Sequence, residues 1–268
     1  MAWARADDGI RLHYETAGVG EPLLLVAGQA LSHTGWAPVL DAFAAHHQVI
    51  VFDHRGTGAS DAPTGQPYST RGFARDAVAV LDAVGVDRAH AYGHSMGGRV
   101  CQWLGIEHAP RLGALILGAT TPGDRHGISR TAAADAVLRS RDRDGLVDLL
   151  VTPRWATEHP EALDSILTLP ADPAQLRLHY LASQGHDTWD LLPRITAPTL
   201  LLHGSADQLN PPGNAELLAQ RIAHAEVHLL NGARHGYYVD HPDATGVVVD
   251  FLARHPLSQQ PAGRLRQA

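Results

Sequence analysis

A chain of 268 residues, 44% of them apolar, can bury a sizeable core and reads as one large α/β domain. Its net charge of -7 argues against nucleic acid or an anionic membrane surface as a partner. No secretory leader and no apolar run near the ~20 residues of a bilayer span are present, and the lone Cys101 cannot form an internal disulfide, so the expectation is a cytoplasmic protein.

Trp3–Arg5 and Ile10–Glu15 flank Asp7-Asp8-Gly9 and predict a hairpin with a turn-forming Asp-Gly. Pro22–Ala27 is a continuous apolar run, the pattern of a strand buried on both faces. It ends at Gly28-Gln29-Ala30, and a helix is expected over about 35–45. Gln48–Phe52 predicts the next buried strand, followed by the glycine-rich loop Asp53–Ser60. Phe73, Ala77, Val80, Leu81 and Val84 recur at helical spacing across 71–84, with Gly85 as the stop.

A strand at Ala89–Tyr92 then leads into Gly93-His94-Ser95-Met96-Gly97, which fits G-x-S-x-G, and a helix to about His108 follows. The motif needs this strand–turn–helix context. A serine on so tight a turn takes strained backbone angles, and the flanking glycines let strand and helix approach without side-chain clash. Cys101, two helical turns on, reads as a packed core thiol.

Leu112–Leu117 predicts another strand. From 121 to 190 no buried strand appears; helical pieces are expected at 131–140, 144–150, 160–167 and 173–183. A helical insertion between two strands is a natural lid over the strand ends. The sheet resumes at Pro198–His203, with a helix at 212–222, a strand at Ala225–Leu230 and a last helix at 242–253. The expected division is a core of 1–120 and 191–255, a helical lid of 121–190 and a flexible tail of 256–268.

Such alternation predicts a mostly parallel sheet flanked by helices, with ligands beyond the C-terminal strand ends. Ser95, Asp207 and His235 each follow a strand and so fall on that edge. A serine hydroxyl needs a base to attack at neutral pH. His235 is the expected base, and Asp207 the carboxylate that orients its ring; Asp124 is the reserve. The Met96 and Gln29 backbone N–H groups are the expected oxyanion donors. His33, Trp36, Trp155, Trp189 and Tyr237 are candidate substrate-pocket groups, while His94 and His203 read as structural. Eighteen histidines invite a metal reading. There is no His-Glu-x-x-His, however, and the adjacent His46-His47 point to different sides of a helix, so neither metal nor cofactor is expected.

Gly93–Gly98, Asp53–Ser60, His203–Asp207 and His235 carry a resemblance to the α/β-hydrolase superfamily over almost the whole chain. Leu23–Gly28 and Gly97–Leu104 are similar to bacterial enol-lactone hydrolases and polyketide methyl esterases. The resemblance implies a cofactor-independent serine hydrolase of a small ester, lactone or thioester; a monomer or homodimer is the default expectation. The same fold also serves C–C hydrolysis, perhydrolysis, rearrangement, acyl transfer and small-molecule reception. Arg125, His126, Arg154 and His186 in the lid point to a moderately apolar substrate bearing polar or acidic groups.

Overall fold

The computed structural model describes residues 2–63, 65–140, 142–167 and 172–259. The chain order is β1 (Ala2–Arg5), β2 (Arg11–Ala17), β3 (Pro22–Val26), α1 (Ala37–Ala44), β4 (Gln48–Phe52), α2 (Thr70–Val84), β5 (Ala89–His94), α3 (Met96–Glu107) and β6 (Leu112–Gly118). Five helices follow: α4 (Ala132–Ser140), α5 (Arg143–Leu150), α6 (Pro153–Glu158), α7 (Pro160–Leu167) and α8 (Pro173–Gln184). The last elements are β7 (Thr199–Gly204), α9 (Gly213–Ala219), β8 (Ala225–Leu230), α10 (Tyr237–Asp240) and α11 (Ala244–Ala253).

The eight strands form one sheet in the order β1-β2-β4-β3-β5-β6-β7-β8. The β1–β2 and β2–β4 pairs are antiparallel, and the others are parallel. The hairpin turns at Gly9, whose φ of 86° suits a residue without Cβ. Every residue of β5, β6 and β7 is buried, as expected of central strands covered on both faces.

Two cores lie on the two sheet faces. Phe73 and Val80 of α2, Val100 and Leu104 of α3 and Leu218 of α9 pack on one face. Val39 and Phe43 of α1 and Val248 and Phe251 of α11 pack on the other. Helix α2 starts where the Ser69 side chain accepts from the Gly72 N–H, and it stops at Gly85 in the left-handed region. Cys101 is a buried core thiol, pushed well above its ordinary range by burial.

The strand order positions the site. The connection from β3 runs to β4 on one side, while β5 lies on the other side of β3 and leads on to β6. The crevice outside the carboxyl ends of β3 and β5 is the switch point where open α/β sheets bind ligands. Gln29 follows β3 there, and Ser95 follows β5.

Two short helices escape the sequence pattern. For α6 the signal was present, since Thr152 caps the Trp155 N–H ahead of Pro153. One-turn α10 is too short for periodicity to register. The first helix is also split: His33–Trp36 is a 3-10 turn, and the α-helix starts only at Ala37 beside Pro38. Of the expected flexible tail, Leu257–Gln259 forms a 3-10 turn, and the Leu257 N–H donates to Glu21 Oε1 at 2.9 Å. The remainder of that tail, 260–268, lies outside the described residues.

Candidate active site

Ser95 is the first residue after β5, and its backbone sits at φ 57°, ψ -117°, a region non-glycine residues rarely enter. Its N–H donates to the Gly118 carbonyl at 2.8 Å, and its own carbonyl accepts from Thr120 Oγ1 at 2.8 Å. Both bonds come from the end of β6 and hold the turn. A Cβ at Gly93 would strike the Gly97 carbonyl, and one at Gly97 would strike the Val26 carbonyl. The glycines thus permit the crossing that lifts the serine off the sheet.

His235 lies in the loop after β8, and Asp207 in the loop after β7. His235 Nε2 is 3.0 Å from Ser95 Oγ, and His235 Nδ1 is 2.8 Å from Asp207 Oδ2. The Leu209 and Asn210 N–H groups donate to Asp207 Oδ1 at 2.8 and 2.9 Å. Burial works against the Asp207 charge, but His235 and His203 beside it hold the carboxyl well below its ordinary range. His203 Nε2 donates to the Asn210 carbonyl at 2.7 Å, which closes the acid loop on itself. His94 Nε2 donates to the His235 carbonyl at 2.8 Å.

The Gly28-Gln29 loop adjoins the serine: a Cβ built on Gly28 would meet the Ser95 Cβ at 3.6 Å. No hydrogen bond among the described residues uses the Gln29 or Met96 backbone N–H. Ser95 Oγ, an imidazole, a carboxylate and two uncommitted amides at one strand edge are groups of the kinds that nucleophilic acyl transfer uses.

The other expected site residues are engaged with partners of their own. Trp36 and Tyr237 are core groups: they are 2% and 0% exposed. The Trp36 ring packs on Tyr92 and Tyr238, and Tyr92 donates its hydroxyl to that of Tyr237. Sheet packing claims both side chains. Trp155 closes a small cluster with Val151, Leu163 and Ile166 and stacks on His159. Trp189 stacks on His126, with the Arg221 guanidinium over its ring. The His33 ring turns to Asp53, with Nδ1 2.8 Å from Oδ1. Asp124 pairs with Arg99 at 3.0 Å instead of a histidine. His186 is buried against Thr70 and Gln102, and Arg154 is exposed and paired with Glu158 on its own helix.

A cavity of about 300 Å³ opens beside the acid loop, lined by Arg99, Asp124, Arg130, Arg139 and Asn210 among others. Neither Ser95 nor His235 lines it. Thr120, which fixes the Ser95 carbonyl, had no sequence signal beyond following a strand.

The alpha/beta hydrolase fold family pattern matches residues 21–147. The "Putative carbamate hydrolase RutD" of Azorhizobium caulinodans is 32% identical over 263 residues, covering 91% of this chain and 94% of that protein. This chain belongs to the α/β-hydrolase fold family. The hydrolase is also 30% identical over 267 residues to the 2-hydroxymuconate semialdehyde hydrolase of Pseudomonas sp. strain CF600, covering 91% of each. Among solved structures, the enol-lactonase from Burkholderia xenovorans LB400 superposes on the hydrolase with a TM-score of 0.80 at 26% identity. That likeness covers 94% of this chain and 99% of the enol-lactonase. No helix among the described residues is long and apolar enough to cross a membrane.

Proposed function

We propose that this hydrolase cleaves a small carboxylic ester, lactone or thioester through an acyl-enzyme on Ser95. The observation that carries the reading is the continuous path from Ser95 Oγ through His235 to Asp207, at 3.0 and 2.8 Å. Ser95 Oγ attacks the carbonyl carbon while its proton passes to His235 Nε2. The carbonyl oxygen takes the negative charge and accepts from the Met96 and Gln29 N–H groups. Asp207 Oδ2 accepts from Nδ1–H and stabilises the imidazolium. Collapse breaks the bond to the leaving group, which takes the Nε2 proton. Water, deprotonated by the same nitrogen, then attacks the acyl carbon and releases Ser95.

Helices α4–α8, between β6 and β7, serve in this reading as the lid. The α8 residue His179 anchors them, with Nε2 2.9 Å from the Arg55 carbonyl. Similarity to an enol-lactonase favours a lactone or ester. Similarity at 30% to a 2-hydroxymuconate semialdehyde hydrolase favours C–C hydrolysis as the second reading. A substrate panel of short acyl esters, lactones, thioesters and vinylogous diketo acids, assayed with wild type and Ser95→Ala, separates them. The proposal expects kcat/KM to be highest on an oxygen or sulfur ester and to vanish in Ser95→Ala. Turnover confined to the diketo acid would replace it with the second reading.

A further inference from the structure

Away from Ser95, strand β2 and the 3-10 turn after β3 bring three metal-capable side chains together. His13 and Glu15 are two apart on β2 and therefore share one face of the strand. His33 comes from the turn His33–Trp36. Glu15 Oε1 lies 3.7 Å from His13 Nε2 and 3.6 Å from His33 Nε2. One donor atom from each residue falls within 4.8 Å of the others. Neighbouring donors in a tetrahedron with bonds of about 2.0–2.1 Å lie roughly 3.3–3.4 Å apart, so small shifts would close the set on an ion.

Two further observations point to a ligand. His13 is 2% exposed, yet neither of its ring nitrogens has a hydrogen-bond partner. A buried imidazole without partners is costly. One carboxylate also sits behind both rings. Asp53 Oδ1 is 2.8 Å from His33 Nδ1, and Asp53 Oδ2 is 3.3 Å from His13 Nδ1. The Ala59 N–H at 2.9 Å and the His33 N–H at 2.7 Å hold that carboxylate in place. For His33, the Asp53 carboxylate on the far nitrogen orients the ring as in metal-binding histidines, with the Nδ1–H tautomer fixed and Nε2 left for the ion.

We propose that His13 Nε2, Glu15 Oε1 and His33 Nε2 form a binding site for one divalent late first-row metal ion, zinc foremost, backed by Asp53. Two imidazoles and a carboxylate suit zinc and its neighbours better than calcium or magnesium, which prefer all-oxygen sets. The charges of Glu15 and Asp53 balance the ion. A fourth position stays open to water, since Glu15 is half-exposed. The ion would clasp β2 to the segment after β3, which carries Gln29. The sequence hides this site because His13-x-Glu15 and His33 belong to separate elements, and no short spacing announces them.

Calorimetric titration of the full chain with zinc sulfate in a non-chelating buffer tests the proposal, alongside visible absorption with cobalt(II) chloride. Wild type is expected to take up one equivalent of zinc and to give the d–d bands of a four-coordinate cobalt site. Glu15→Gln, at an exposed strand position, is expected to weaken zinc at least about tenfold. His33→Gln is expected to abolish the cobalt bands, with its fold checked by circular dichroism. His46→Gln, a surface control, is expected to bind as wild type does. No stoichiometric uptake by wild type would overturn the site. Uptake that is unchanged in Glu15→Gln and His33→Gln would overturn it equally, by assigning the binding to other histidines.

Discussion

His94 and His235 are tied by a hydrogen bond of 2.8 Å from the Nε2–H of His94 to the backbone carbonyl of His235. The residue before Ser95 thereby holds the loop that carries His235. Burial, with His235 beside it, pushes the His94 imidazole down to about 3, so it stays a neutral single donor. His94→Ala leaves the His235 carbonyl without its donor and is expected to lose about 1–3 kcal/mol of stability. The loosened base should lower kcat more than it raises KM. Urea unfolding and steady-state kinetics on the same preparation check both.

Asp207→Asn preserves the shape of the acid loop but offers His235 Nδ1 an amide. The Leu209 and Asn210 N–H groups claim the amide oxygen, so the NH2 faces His235 Nδ1, donates to it and puts the ring proton on Nε2, the wrong tautomer for Ser95. A loss in kcat on the order of 10⁴ is expected, with the melting temperature little changed. An activity within tenfold of wild type would move the carboxylate role elsewhere. Asp124 would not inherit it, because Asp124 pairs with Arg99.

Gly97 and Gly246 make a paired test of backbone space. A Cβ at Gly97 of α3 would collide with the Val26 carbonyl of β3, a backbone contact that no side-chain rotation relieves. Gly97→Ala is expected to lose at least about 1–3 kcal/mol, and activity with it. Gly246 lies in α11 with nothing within 4 Å of a built Cβ. Gly246→Ala should gain about 0.4–1 kcal/mol. Thermal melts of the two variants should therefore move in opposite directions.

Stability should fall on mild acidification. Burial pushes His54 and His94 down to about 3 and His179 down to about 4, against an ordinary value of 6.5. Their folded forms stay neutral while the unfolded chain takes up protons once the pH drops below 6.5. The unfolded state then binds more protons, so unfolding free energy decreases as pH falls across that window. Each group contributes up to about 1.4 kcal/mol per pH unit. Above the window their contribution is complete. Urea unfolding between about pH 7.5 and about pH 5 reads the slope, and a flat profile would contradict the assignment.

Much of the fold was legible because buried parallel strands are written as continuous apolar runs. Leu23–Val26 and Leu112–Leu117 could hardly be anything else in a chain that alternates with helical periods. The strand-end positions of Ser95, Asp207 and His235 followed from that alternation. What sequence could not reveal was direction. Trp36 and Tyr237 are aromatic and near the site in sequence, but whether a ring faces a pocket or the core depends on packing against Tyr92 and Tyr238. The same holds for His33, whose ring turns to Asp53, a residue from another strand end. Thr120 was invisible for a further reason, since hydroxyl-to-carbonyl bonds across the sheet leave no periodic trace.

The most direct test of the account is covalent labelling of the nucleophile. Wild type and Ser95→Ala are incubated with a fluorophosphonate, and intact and peptide masses are read alongside hydrolysis of a short acyl ester. One phosphonyl adduct on Ser95, with label and turnover both lost in Ser95→Ala, is the predicted result. Folded wild type that neither labels nor turns over the ester, or an adduct that persists in Ser95→Ala, would contradict it.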